Sequence, residues 1–443
     1  MEKSRSEICT FGGFDLAIAM AAYAADGQVS APSVARVVHL GELGLDGRVR
    51  PVAGVLPAVL AAARAGFDTV VVPAGNAAEA RLVPDVHVVS VASLREAAIF
   101  HGAELEPVEV EPLMPVTLAQ PSEQAGDLSE VIGNPDAVEA MQIAAAGGHH
   151  VYLLGPPGAG KTMLASRLPG LLPDLTPAEG IEVSSIRSLV GMPVGADLVR
   201  RPPLEAPHHT ASPAAIVGGG SGLIRPGAAA RAAHGVLFLD EAPEFSAVSL
   251  DALRQPLESG VITISRASGS ARFPARFQLV LAANPCPCGY YEVRDAECTC
   301  TPMARRRYLA RLSGPLLDRV DIQLRVRRIT AAQVRMARKE GNPTSAAARA
   351  RIEAARERAA HRLAETPWRL NAHVPGTWLR SAAGAPQRGA TAVLDRALER
   401  GGITMRGYDR VLKLAWTLAD LDEVDRPGAD QVGRALLLRK AAL

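Results

Sequence analysis

Lysine is almost missing from this chain. Only five of its 48 basic residues are lysine (Lys3, Lys161, Lys339, Lys413 and Lys440), and the remaining 43 are arginine. Positive charge is carried by planar guanidinium forks nearly everywhere, so a retained lysine marks a place that wants a compact ammonium. Aromatics are scarce as well, with three Trp, six Tyr and eight Phe in 443 residues. That is too few for binding to rest mainly on base-stacking platforms. No apolar run approaches the roughly 18 residues of a membrane span, which argues against a membrane partner. Residues Met1 to Glu7 lack the apolar core of a signal peptide, so a cytoplasmic location is expected. What is present is an apolar content of 48%, ample for packed cores in about two to four domains. The net charge of +2 hides an uneven spread. His101 to Met141 holds nine acids and no base, whereas Thr301 to Arg362 holds 16 bases against five acids. Such a basic block reads either as a polyanion-binding surface or as a solvated arginine-rich helical face.

One of the five lysines sits in the most informative stretch, Gly155-Pro156-Pro157-Gly158-Ala159-Gly160-Lys161-Thr162. An apolar run, Val151 to Leu154, precedes it, and a helical pattern from Met163 to Leu168 follows. Strand, G-x-x-x-x-G-K-[ST] and helix form the phosphate-cradling loop of nucleotide-binding proteins. Its glycines let backbone N–H groups face phosphate oxygens at a helix N-terminus. Lys161 is expected to reach the β- and γ-phosphates of ATP, and Thr162 to ligate Mg²⁺.

Two further stations follow. Val236 to Leu239 is an apolar strand ending in Asp240 and Glu241, 79 and 80 residues beyond Lys161. Adjacent carboxylates at a buried strand end are costly unless a cation needs them. Asp240 suits Mg²⁺, held through water, and Glu241 suits polarising the attacking water. A third apolar strand, Phe277 to Ala283, ends at Asn284. Asn284 either orients water between the acids and the γ-phosphate or caps the turn before Pro285.

Around these stations the fold class reads as α/β. Residues 13–100 alternate helix and strand, with strands over 35–40, 69–73 and 87–91. Residues 103–126 are acidic and aperiodic. From Asp127 to about Val326, strands alternate with helices, as in a parallel sheet with crossovers. From Ile329 the chain reads as helical, with helices over 331–339, 346–365, 390–400 and 408–421. Gly260–Arg266 and Arg272–Phe277 flank a small tip at 267–271 and read as a β-hairpin. Its Arg266, Arg272 and Arg276 either meet a phosphate backbone or decorate an ordinary surface hairpin. His208 and His209 are adjacent and are expected to point apart, which favours hydrogen-bonding or phosphate-sensing roles over metal ligation. Cys286-Pro287-Cys288 and Cys298-Thr299-Cys300 form two close pairs. They are expected either to bind a structural Zn²⁺ or to be free, redox-active thiols; disulfides are disfavoured in a cytosolic protein.

The three stations, in order, resemble the Walker A, Walker B and sensor 1 elements of an AAA+ ATPase. Ala206–Thr210, Val217–Gly220, Phe238–Phe245, Leu253–Glu258, Asn284–Gly289 and Leu312–Arg319 narrow the resemblance to the magnesium-chelatase-like group, and within it to the YifB/ComM proteins. The resemblance implies a P-loop AAA+ core at 127–328 with a Cys-rich loop at 286–300, and a helical lid at 329–443. It implies that Arg319 is an arginine finger entering a neighbour's site, that Arg406 is sensor 2, and that the active unit is a hexameric ring. It places the 260–277 hairpin and an insert over about 182–226 at the ring pore. The implied activity is Mg²⁺-dependent ATP hydrolysis driving DNA unwinding or branch migration, the DNA being branched or single-stranded. The alternative is a chelatase- or chaperone-type motor that remodels a protein partner. Gly41–Val55 and Ala61–Phe67 resemble the Lon protease domain, giving a partial domain at 1–102 and an acidic linker at 103–126. Phe14 stands where that domain's nucleophilic serine belongs and Leu56 where its lysine belongs, so no protease activity is expected. Met1–Gly12 does not resemble that domain's strand-rich start, so part of its sheet is expected to be missing.

Overall fold

The computed structural model describes residues 13–114, 126–220, 224–266, 269–291, 297–329, 334–335 and 341–440. It divides into two compact units. The first draws on Met1–Ser122, Leu175–Arg200 and Gly219–Pro226, and the second on Glu123–Asp174, Arg201–Gly218 and Gly227–Leu443.

In the first unit, α1 (Asp15–Ala25) buries Leu16 and Met20. Three parallel strands follow in the order β1 (Val38–His39), β2 (Thr69–Pro73) and β3 (His87–Val91). Val70, Val71 and Val72 are fully buried, as a strand covered on both faces requires. Between β1 and β2 runs α2 (Val55–Arg64), whose Val55, Leu56, Val59 and Ala62 face the core. The strand read over 35–40 is shorter than expected. Ala31–Ala35 is a helical turn with Pro32 in its first turn, capped by Ser30, whose Oγ accepts from Ser33 N at 3.4 Å. The helix Pro177–Leu189 also belongs to this unit. A capping box of Thr176 and Glu179 starts it, and Ser188 O accepts from Gly54 N at 2.9 Å. Part of the insert read over 182–226 therefore packs with the first unit. His39 and His101 are buried with their Nε2 atoms 2.8 Å apart. Burial, then the neighbouring His101, pulls His39 down to about 4.

The second unit begins with α4, a helix over Pro135–Gly147 (α3 being Leu94–Phe100 of the first unit). Then come β4 (Val151–Leu154), α5 (Lys161–Leu171), β5 (Leu204–Glu205) and β6 (Val236–Leu239). A hairpin, β7 (Val261–Arg266) and β8 (Gly269–Pro274), precedes β9 (Gln278–Ala283) and β10 (Ile322–Arg325). The five-stranded sheet has the order β10-β4-β9-β6-β5, and every pair is parallel. The three central strands β4, β9 and β6 are buried at every position. Among the described residues, four helices of eight residues or more close the unit: α6 (Ser345–Arg362), α7 (Ala392–Glu399), α8 (Met405–Leu421) and α9 (Ala429–Lys440). The sequence reading missed α9, because Gly433 interrupts its pattern; Val432, Ala435 and Leu436 nonetheless bury there. Apart from 334 and 335, the helix read over 331–339 lies outside the described residues. A single core joins β4, β9 and β10 to α6, α8 and α9.

Buried charge reinforces that join. Asp321, 1% exposed, pairs with Arg410 of α8 and with His149 Nδ1 at 3.2 Å. Burial alone would raise its carboxyl, but Arg410 and then His149 outweigh burial and hold it well below the usual carboxylate range. His149 Nε2 lies 2.7 Å from Thr417 Oγ1, also on α8.

Candidate nucleotide site

The parallel register sets three strand ends side by side, with Ala283 opposite Leu154 and Leu239 opposite Leu281. The loop after β4, the acids after β6 and the amide after β9 therefore converge at one carboxyl edge. Gly155 is required by close approach, because a Cβ there would stand 2.2 Å from Val326 O. Gly160 caps α5 at φ +91°, in the left-handed region that favours glycine.

Lys161 is 7% exposed. Its Nζ donates to Gly155 O at 2.6 Å, Pro156 O at 3.0 Å and Asn284 Oδ1 at 3.0 Å. Burial lowers its pKa, opposed by the charges of Asp240 and Glu241. Thr162 Oγ1 donates to Asp240 Oδ2 at 2.8 Å, and Asp240 Oδ1 accepts from Glu241 N at 2.9 Å. Five of the residues singled out in the sequence thus form two hydrogen-bonded sets, Lys161 with Asn284 and Thr162 with Asp240 and Glu241, joined into one group by the Lys161–Thr162 peptide. A hydroxyl and a carboxylate in contact are hard oxygen donors suited to Mg²⁺, which takes one or two such ligands beside substrate phosphates.

Glu241 has a left-handed backbone, with φ +50° and ψ +42°. Such a conformation is uncommon for a non-glycine residue and clusters at functional sites. Its Oε2 lies 3.3 Å from His209 Nδ1. The two histidine rings do not diverge as adjacent positions were expected to do. They stack at 4.1 Å with 34° between planes, and His208 Nδ1 lies 2.8 Å from Thr210 Oγ1. The sequence reading also missed a cavity of about 240 Å³ beside the phosphate loop, lined by Val131, Ile132, Asn134, Gly158, Met163 and Ile329 among others. The signal was present in the apolar pair Val131-Ile132 ahead of Gly133-Asn134, both of which adopt positive φ (70° and 48°).

The two arginines implied by resemblance stand apart from this group. Arg319 is 12% exposed, paired with Glu258 and donating to Pro315 O. Arg406 lies in the first turn of α8, exposed, and has no hydrogen-bond or ion-pair partner among the described residues.

Much of the basic block is consumed internally. Arg311 pairs with Glu244, Arg349 with Asp174 and Glu353, Arg358 with Glu423, and Arg362 with Asp420. The hairpin arginines are free of such ties. Arg266, Arg272 and Arg276 are exposed and unpaired among the described residues; Arg272 lies on the face opposite the buried Ile262, Ile264 and Phe273, Arg266 shares the strand face of Ile262 and Ile264 at its exposed end, and Arg276 follows the end of β8. Residues 267–268 of the expected tip lie outside the described residues, and pairing extends from Val261–Pro274 to Arg266–Gly269.

The cysteine pairs also converge. Sγ of Cys286 lies 3.3 Å from that of Cys288 and 3.7 Å from that of Cys298, and Cys288 and Cys298 are 3.7 Å apart. All four Sγ atoms, Cys300 included, fall within 4.8 Å of one another. A tetrahedral zinc with bonds of about 2.3 Å requires sulfurs roughly 3.8 Å apart, so the donor set fits. The N–H of Tyr290 holds the Cys288 thiol down to about 6. Gly289, next in the loop, touches the phosphate loop: a Cβ there would meet the Pro157 ring at 2.6 Å.

A parallel sheet with a phosphate loop, paired acids and an amide on neighbouring strand ends defines a P-loop ATPase core of the AAA+ class. Comparison with known proteins narrows the class. A family model for the ChlI subunit of magnesium chelatase matches residues 127–334, a model for the C-terminal part of that subunit matches 342–439, and a further ChlI model matches 10–76. Competence protein ComM of Haemophilus influenzae is 41% identical over 411 residues, covering 93% of this chain and 79% of that protein. YifB of Escherichia coli, uncharacterised, is 39% identical over 414 residues, covering 94% and 79%. An uncharacterised protein of Mycobacterium tuberculosis is 48% identical over 429 residues, covering 96% and 83%. The chain belongs to the magnesium-chelatase-like YifB/ComM family. No helix among the described residues is long and apolar enough to cross a membrane.

Proposed function

We propose that this protein is an oligomeric, Mg²⁺-dependent ATPase whose turnover drives DNA unwinding or branch migration. The observation that carries the ATPase reading is the bonded group of Lys161, Thr162, Asp240 and Asn284 at one strand edge. Lys161 leaves the loop carbonyls for the β- and γ-phosphates. Thr162 and Asp240 would hold Mg²⁺, which supplies charge neutralisation at those phosphates. Glu241 accepts the proton of the attacking water, and Asn284 orients that water. The apolar cavity beside Gly158 takes the base of the nucleotide. Arg319 acts in a neighbouring subunit and Arg406 in its own, each laying a guanidinium fork on developing phosphate charge. A site completed from a neighbour makes a ring the working unit.

DNA as the substrate rests on the hairpin and the turn after it, whose Arg266, Arg272 and Arg276 are exposed and unpaired among the described residues. The kinship with ComM adds to it. The test is ATPase rate with and without forked DNA at low salt, beside Arg266→Ala/Arg272→Ala. The reading expects stimulation in the wild type that the variant loses. ATPase indifferent to any DNA would leave the protein-remodelling motor as the better account. The cysteine cluster is assigned to a structural Zn²⁺, because its four sulfurs converge within 4.8 Å of one another and three of the separations are 3.3–3.7 Å. Metal content near one zinc per chain after chelator-free purification is expected, and less than about 0.3 would overturn it.

A further inference from the structure

We propose that the cysteine turn and the helix after it form a docking surface for a single strand of DNA, a second contact besides the hairpin. This rests on the DNA reading of the motor and adds a surface to it. The turn is organised by the converging sulfurs of Cys286, Cys288, Cys298 and Cys300. Tyr291 N donates to Cys286 Sγ at 3.4 Å, so the tyrosines after the first cysteine pair are set by the same cluster. Directly after Cys300, Thr301 caps the helix Pro302–Leu309, its Oγ1 accepting from Ala304 N at 3.2 Å. Tyr308 buries on the inner side of that helix, at 4% exposure. Arg305 lays its guanidinium over the Tyr291 ring, 3.9 Å from the centroid, and so ties the helix to the turn.

The outer face of this module suits unpaired nucleotides. Tyr290 is 41% exposed, an aromatic ring open to stacking in a chain that has only six tyrosines. Arg306 and Arg307 are exposed, and neither has a side-chain hydrogen bond or ion pair among the described residues. Arg306, two residues before Tyr308, lies on the opposite side of the helix. Elsewhere in the basic block Arg311, Arg349, Arg358 and Arg362 answer to acids. Among the described residues of 286–309, Arg305, Arg306 and Arg307 stand against a single acid, Glu297. Free guanidinium groups meet phosphates, and an open ring meets a base that has left its stack. A duplex keeps its bases stacked within, so the ring selects a single strand. The surface also adjoins the nucleotide site. Gly289, beside Tyr290, packs so near the phosphate loop that a Cβ would meet the Pro157 ring at 2.6 Å. A strand bound here therefore rests on a turn that touches that loop.

The experiment follows the anisotropy of a labelled oligothymidylate of about 20 nucleotides, and of a duplex of the same length, over a salt series. Full chains are compared: wild type, Arg306→Ala/Arg307→Ala, Tyr290→Ala, Tyr290→Phe and the hairpin variant Arg266→Ala/Arg272→Ala. Losing two phosphate contacts should reduce the single-strand salt slope of Arg306→Ala/Arg307→Ala by about 1.4. Tyr290→Ala should weaken the single strand about tenfold and the duplex less than about twofold, while Tyr290→Phe keeps the wild-type affinity. Thermal midpoints at the wild-type value show the turn intact; should Tyr290→Ala melt early, the arginine pair decides alone. The inference is overturned if that pair leaves the slope unchanged, if a stable Tyr290→Ala weakens both DNA forms equally, or if phenylalanine fails to replace tyrosine. It is also overturned if polyglutamate displaces the strand from wild type at equal charge concentration, which marks an acidic protein as the partner. Loss of binding in the hairpin variant alone overturns this surface and keeps the DNA reading. A wild type that binds neither DNA overturns both.

Discussion

Replacing Asp321 by alanine should loosen the helical lid far more than an average surface substitution would. Asp321 is 1% exposed and answers to Arg410 of α8, His149 Nδ1 at 3.2 Å and His150 N at 3.4 Å. Removing it strands a guanidinium that is only 20% exposed and an imidazole that is fully buried. Breaking one side of such a pair costs about 3–5 kcal/mol. Because Arg410 can relax partly toward solvent, the lower end, about 3 kcal/mol, is expected. The consequence reaches function, because Asp321 lies two residues after Arg319 and Arg410 one turn after Arg406. All three tryptophans (Trp368, Trp378 and Trp416) lie in the helical region, and Trp416 is 2% exposed, so their fluorescence reports this part alone. With a urea slope of about 2–3 kcal/mol per M, the midpoint should fall by about 1–1.5 M. The ionised carboxyl is the stabilising form, and its folded pKa lies below the ordinary 3.8. Wild-type stability from this group is thus full above the unfolded pKa and lost as pH falls through the folded one. A midpoint shift under about 0.3 M, or an Asp321→Asn variant as stable as wild type, would refute the reasoning.

Other outcomes follow from the same geometry. Acid should destabilise the protein well above the carboxylate range. Burial lowers His39 and His150 to about 4 in place of 6.5. The unfolded chain binds their protons first, so stability should fall as pH drops from about 6.5 to 4; a flat thermal midpoint across that window would contradict this. Cys298→Ser with Cys300→Ser should lose zinc, measured by metal analysis, and should weaken nucleotide binding because the loop rests on Pro157. Gly289→Ala should keep its zinc yet shift nucleotide affinity, since its Cβ would collide with that ring and its φ is +80°; unchanged affinity in both would separate the metal from the site. Arg266→Ala with Arg272→Ala should reduce the salt slope of DNA affinity by about two, and an unchanged slope would remove the hairpin from the interface.

The parts of the site that were legible in the sequence are those whose chemistry fixes both residue type and spacing. Asp240 and Asn284 stand at strand ends that apolar runs announce, Lys161 and Thr162 open the helix after a third such strand, and a parallel sheet brings these ends together. What was not legible depends on neighbours remote in the chain. Nothing local foretells that Arg319 lies against Glu258, or that the basic block spends its arginines on Asp174, Glu244, Glu423 and Asp420. The approach of the His208 and His209 rings to 4.1 Å is likewise not legible in their adjacency. Local signals also misled. Gly433 hid α9, and the Ser30 cap with Pro32 turned the start of an apparent strand into a helical turn.

The central claim is that the bonded group at the sheet edge hydrolyses ATP with Glu241 as its base. The most direct measurement is phosphate release by the purified full chain with ATP and Mg²⁺, run beside Glu241→Gln with nucleotide binding followed in parallel. The account predicts turnover by the wild type, a loss of about two orders of magnitude or more in the variant, and equal binding by both. Equal turnover by the two proteins would contradict it.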